Sequence, residues 1–161
     1  MGEGTTITDY ITVVRNSDGE IRLNINSYVG RRQLDRMGSN TGISVTAIHR
    51  DIFMDHHVYA FEARNTSSNS ILLNNRNDAR TVFLEDDREN TYTARIHEVD
   101  SSLLLLDSGT TRRFSIRFNK VHGTQREIRS VQFTNIIMDA EQYFEERNIE
   151  TVPLTRVSIP L

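Results

Sequence analysis

At 161 residues, with 37% hydrophobic and 25% charged residues, the chain has the size and polarity of one globular domain, and a chain of this length buries about 70% of its unfolded surface. A net charge of −3 and a pI near 5.9 supply no global field for nucleic acid or an anionic membrane. There is no cysteine and Lys120 is the only lysine, which excludes disulfides, thiolate metal sites and cysteine nucleophiles and confines lysine chemistry to one position.

The first nine residues (MGEGTTITD) lack the charged-then-apolar layout of a signal peptide, and no apolar run approaches about 18 residues. They read as a leader or a truncation point, so a signal peptide or anchor would lie outside this sequence. Residues 10–14 and 20–25 alternate weakly around Asn16-Ser17-Asp18-Gly19, which is turn chemistry and predicts a peripheral hairpin. Residues 26–42 carry Gly30, Gly38 and Gly42 beside Arg31-Arg32-Gln33 and read as a loop. Residues 1–42 are therefore expected as an arm or hairpin packed on, or leading into, a domain formed by 43–161.

Within that domain, 43–48 and 58–64 alternate as an antiparallel pair joined by a polar connection at 51–56. Tyr59, Phe61 and Ala63 fall on one face and Val58 and Ala60 on the other. Segments 71–73 and 81–84 read as a continuing meander. Residues 92–97 and 113–118 suit strands wet on one side, and 128–137 supplies another. The period then changes: Ala140, Tyr143 and Phe144 at i, i+3 and i+4 predict a short helix over about 138–148. Residues 154–161 close the chain as a strand, with Pro160 suited to an edge. The expected fold is mainly β, an immunoglobulin-like antiparallel β-sandwich with a short C-terminal α-helix.

The turn chemistry resembles that of telokin-like, immunoglobulin-like domains of secreted lipoproteins and membrane-anchored proteins in Gram-positive bacteria. The resemblance rests on a strand ending in an Asn-rich turn, Phe61-Glu62-Ala63-Arg64-Asn65-Thr66-Ser67. Next comes Val82-Phe83-Leu84-Glu85-Asp86 leading to Tyr92, then Leu106-Asp107-Ser108-Gly109-Thr110 and the F-x-I-x-F strand 114–118. It spans roughly 43–133, and departs in lacking a proline before that glycine and in its N-terminal segment, C-terminal helix and last strand. It implies a non-enzymatic extracellular or cell-surface module, with an unknown protein or glycan partner.

Two clusters carry candidate metal chemistry. At the tip of the 43–64 hairpin, His49, Asp51, Asp55 and one of His56 and His57 would form an imidazole–carboxylate set for zinc, copper or nickel, against the alternative of a solvated hairpin tip. Adjacent strand residues point to opposite faces, so His56 and His57 would not both ligate without a bend. The acidic turn holding Glu85, Asp86, Asp87 and Glu89, with oxygens from 74–78, would suit calcium, against a charged turn that keeps an edge soluble. No G-x-S-x-G elbow or triad spacing is present. Arg112, Arg113, Arg117 and Lys120 form a modest basic edge whose neighbours Phe114 and Phe118 alternate to the other face, which disfavours a nucleic-acid platform. Asn65-Thr66-Ser67 matches a glycosylation sequon but reads as a turn.

The expected function is an interaction or spacer module acting through loops 50–57, 74–80 and 85–90, monomeric or weakly dimeric, with no cofactor and no membrane insertion by this segment. A metal- or calcium-dependent binding module and a hydrolase of unfamiliar type are the alternatives.

Overall fold

In the computed structural model the protein is described over residues 8–15, 17–73, 81–94, 104–119 and 127–161. These residues are mainly β, forming two antiparallel sheets with a short α-helix and a 3-10 turn. The first sheet contains β1 (Thr8–Arg15), β2 (Ile21–Asn40), β3 (Ile43–Phe53), β4 (His56–Asn65) and, from later in the chain, β9 (Thr111–Asn119). The second contains β5 (Ile71–Leu72), β6 (Val82–Asp86), β7 (Thr91–Thr93), β8 (Leu105–Leu106), β10 (Ile128–Ile137) and β11 (Leu154–Pro160). Their orders are β1-β2-β3-β4-β9 and β7-β6-β10-β5-β8, with β11 on β10.

Alternation builds one core between the sheets. Val45, Ala47, Phe61, Ala63, Ile116 and Phe118 from the first face Leu84, Val131, Phe133, Val157 and Ile159 from the second, all fully or almost fully buried. Phe61 meets Phe133 edge-on with ring centroids 5.2 Å apart, the geometry that ring quadrupoles favour. The helix α1 (Ala140–Glu146) links β10 to β11. The Asp139 side chain caps it by accepting the Gln142 amide at 3.1 Å, and the left-handed Arg147 ends it. Ala140 packs with Leu72, Ile137 and Val152 as a small second cluster.

Three expectations need correction. Residues 26–42 are not a loop: β2 runs without a break to Asn40 and pairs with β3 from Tyr28 onward. Its glycines sit at a register step between Tyr28 and Gly30 and at a close approach at Gly38, and a second step falls between Gln33 and Arg36. A Cβ on Gly38 would stand 2.2 Å from the carbonyl oxygen of Ser158 in β11. The Asn40 amide also donates to the carbonyl of Arg156 at 3.0 Å, so β2 brings the edges of the two sheets together. Gly38→Ala is expected to destabilise the fold by about 2–3 kcal/mol, the scale of overpacking, whereas Gly30→Ala, with nothing within 4 Å of its Cβ, should change stability little. Equal melting temperatures for the two variants would refute the contact.

Segments 71–73 and 81–84 do not extend a meander from β4. The chain crosses to the other sheet after Asn65, where β5 pairs β8 and β10, and β6 pairs β7 and β10. The polar connection at 51–56 is also shorter than expected: β3 continues to Phe53 and β4 begins at His56.

Candidate functional site

A single register step decides what the β3–β4 hairpin presents. Ala47 pairs with Phe61, but the next pair along the ladder is His49 with Ala60, so one extra residue has entered β3. Such a bulge reverses which side chains face inward. Before it, Val45 and Ala47 point into the core. After it, Arg50 and Ile52 lie opposite the inward Tyr59 and His57, while His49, Asp51 and Phe53 lie on the outer face.

The residues expected to gather at the tip are therefore engaged in separate contacts. On the outer face, Asp51 is engaged by Arg31 through two hydrogen bonds of 2.7 and 3.1 Å, and His49 Nε2 stands 3.9 Å from its Oδ2. Asp55 Oδ1 lies 2.6 Å from His56 Nδ1, and that contact holds the Asp55 carboxyl below the usual range. The His56 ring stacks on Phe53 at 4.4 Å between centroids. His57 is on the opposite face. Among the described residues, no three His, Asp or Glu side chains come together as a metal-binding group.

The acidic turn is organised differently from an open oxygen cage. Burial opposes charge on Asp86, yet hydrogen bonds from Asn90, the Arg88 and Asn90 amides and Tyr92 hold its carboxyl far below the usual range. Those donors stand between 2.9 and 3.2 Å away. Both carboxylate oxygens therefore serve the β6–β7 turn itself. Asp87 and Glu89 are exposed, and residues 74–78, expected to add oxygens, lie outside the described residues.

The inner face at the hairpin end holds a polar group that no sequence motif announces. Arg50 Nη1 donates to the Tyr59 hydroxyl at 3.3 Å, and its guanidinium carbon lies 5.9 Å from that ring's centroid. The Arg50 Nε is buried without a hydrogen-bond partner, and so are both ring nitrogens of His57, a residue only 3% exposed. Burial, with the charge of Arg50 and then His56 adding to it, pushes the His57 pKa down to about 4, so the ring is neutral near pH 7. Burial raises the Tyr59 hydroxyl, and the charges of Arg50 and Arg32 work against that rise. Arg32 belongs to the same row, since it pairs with Arg50, Arg50 with Tyr59, and Tyr59 with Ile116. The alternation of Tyr59 and Phe61 is readable in the sequence; the bulge that turns Arg50 toward them leaves no mark in the residue pattern.

No helix among the described residues is long and apolar enough to cross a membrane. No family model matches the chain, and no curated protein matches it. Among solved structures, the chain is similar to a conserved hypothetical protein from Bacillus anthracis, with 14% identity and a TM-score of 0.45 over 67% of this chain and 89% of that one.

Proposed function

We propose that the chain is a non-enzymatic binding module, immunoglobulin-like in its sandwich and working outside the cell or at its surface. Its ligand would engage the inner face around Arg50, His57 and Tyr59. The observation that carries this reading is a group of hydrogen-bonding nitrogens buried on paired strands with no partner of their own, since buried polar atoms of native proteins are normally satisfied. Strands hold such a group more rigidly than loops would, which favours recognition. The cell-surface setting draws its support from the turn chemistry of residues 43–133.

A hydrolytic reading draws less support from the same group. A general base must reach the proton it removes and works best with a pKa near the operating pH. The His57 nitrogens contact no hydroxyl or carboxylate, and a pKa of about 4 makes the ring a weak base at neutrality.

The reading is tested by incubating the protein with chromogenic esters, phosphoesters and glycosides, and by fractionating cells that produce the full-length protein. No turnover, with the protein in the surface or extracellular fraction, is the expected result. Turnover that disappears in His57→Gln would overturn the binding-module reading, and an exclusively cytosolic protein would overturn its setting.

A further inference from the structure

We infer that the inner face of the β2–β3–β4 region is a receptor for an oxyanion, the carboxylate or phosphate group of a small ligand, gripped by Arg32 and Arg50 with His57 at its floor. The inference deepens the binding-module reading and rests on it.

Charge is the first argument. Arg32 and Arg50 are directly opposite across β2 and β3, and like charges in that relation repel and destabilise a sheet. Arg31, one residue away on the outer face, has its carboxylate in Asp51. Among the described residues, Arg32 and Arg50 have no such partner. A negative ligand would relieve the repulsion, and the planar fork of arginine matches the two oxygens of a carboxylate or phosphate.

Donor chemistry is the second. The free Arg50 Nε and the neutral imidazole of His57 are buried and unbonded. A neutral ring offers one N–H donor and one acceptor nitrogen. It would donate to an anionic oxygen, while its other nitrogen would accept from a hydroxyl or amine on the same ligand.

Access is the third. Exposure falls along the row, from the exposed Arg32 through the half-buried Arg50 to the buried Tyr59, and His57 beside it is buried too. Gly30 lies in the neighbouring row, opposite Ile52, which in turn pairs with His57, and a Cβ there would meet nothing within 4 Å. The open side is therefore at β2, and the ligand's anionic end would enter past Gly30 and Arg32.

The experiment is a calorimetric and thermal-shift titration of the protein with sodium phosphate and with sodium succinate, against sodium chloride at matched ionic strength. At least one oxyanion is expected to raise the melting temperature saturably, and the arm that responds identifies phosphate or carboxylate as the source. Arg32→Gln, Arg50→Gln and Gly30→Leu should each weaken that binding about tenfold or more, the scale of a lost charge-assisted hydrogen bond or a blocked entrance. If Arg50→Gln fails to fold, Arg32→Gln and Gly30→Leu decide the matter, because both positions are open to solvent or empty space. A response no greater than that to chloride, or wild-type binding in those two variants, overturns the inference. In that event, absence of turnover would still leave a binding module for a neutral ligand, whereas turnover would remove the parent reading whatever the anions do.

Discussion

Replacing Asn65 by Ala is expected to cost about 4 kcal/mol of folding stability, more than most single changes in this chain. Asn65 ends β4 with its side chain fully buried. Its Nδ2 donates to the carbonyls of Asn69 at 2.7 Å and Leu106 at 3.0 Å, and its Oδ1 accepts the Ser67 amide at 2.9 Å and hydroxyl at 2.7 Å. Its own amide donates to Thr110 at 3.0 Å. The side chain thus ties the turn after β4 to strand β8 of the second sheet, and the backbone amide holds the turn before β9. Alanine would leave the buried Leu106 carbonyl and the partly buried Ser67 amide without their partner, each at about 1–3 kcal/mol before relaxation, while the Asn69 carbonyl keeps the Ser67 hydroxyl. Asn65→Asp is expected to be at least as harmful, because a carboxylate would face the two carbonyl oxygens that now receive N–H groups. Urea unfolding at neutral pH measures both; a loss below about 1 kcal/mol in the alanine variant would show that the hub is dispensable. The same bonds explain why Asn65-Thr66-Ser67 behaves as a turn, since both Nδ2 hydrogens are already used.

That turn, like much of the strand pattern, was legible because local chemistry and tertiary structure agree there. Phe114, Ile116 and Phe118 alternate against Ser115 and Arg117, and β9 runs from Thr111 to Asn119 with that alternation. Ala140, Tyr143 and Phe144 announced the helix at Ala140–Glu146. Glycine misled the reading of 26–42. A Gly-rich tract usually marks a loop, but here Gly38 is required by the backbone of β11, a partner about 120 positions later in the chain. Which strands belong to which sheet was hidden for a similar reason. Pairing of β10 with β6, β5 and β11 is set by long-range register, which no short window contains.

The candidate site was the least legible part, and the cause is specific. His49, Asp51, Asp55, His56 and His57 are close in sequence and chemically suited to a metal, which made them conspicuous. The bulge between Ala47 and His49 turns His49 and Asp51 to the outer face and brings Arg50 to Tyr59, while alternation along β4 puts His57 on the inner face, away from them. Arg32 joins Arg50 and Tyr59 only because β2 is a strand. A site assembled by one inserted residue and one unforeseen strand leaves no motif to find.

The buried imidazole in that site makes the protein's stability depend on pH in a narrow window. In the unfolded chain His57 takes up a proton near its ordinary value of 6.5, and in the folded protein only near pH 4. Above pH 6.5 both states are neutral at this position, and it contributes no pH dependence. As pH falls from 6.5 toward 4, the unfolded state binds more protons than the folded one, so stability is lost over that interval and the loss levels off below it. Between pH 7.5 and 4.5 the loss assigned to His57 amounts to about 2–3 kcal/mol, because each tenfold change in proton affinity is worth about 1.4 kcal/mol. His57→Leu should abolish that portion, so the stability difference between wild type and variant changes by this amount between the two pH values in urea melts. At pH 7.5 the variant should be as stable as wild type or more so, because an apolar side chain would replace two buried nitrogens that bond to nothing. A parallel pH response in both proteins would show that the ring is solvated. A His57→Leu variant that is equally stable but no longer binds phosphate or succinate would mean that the imidazole is kept for the ligand, at a cost to the fold.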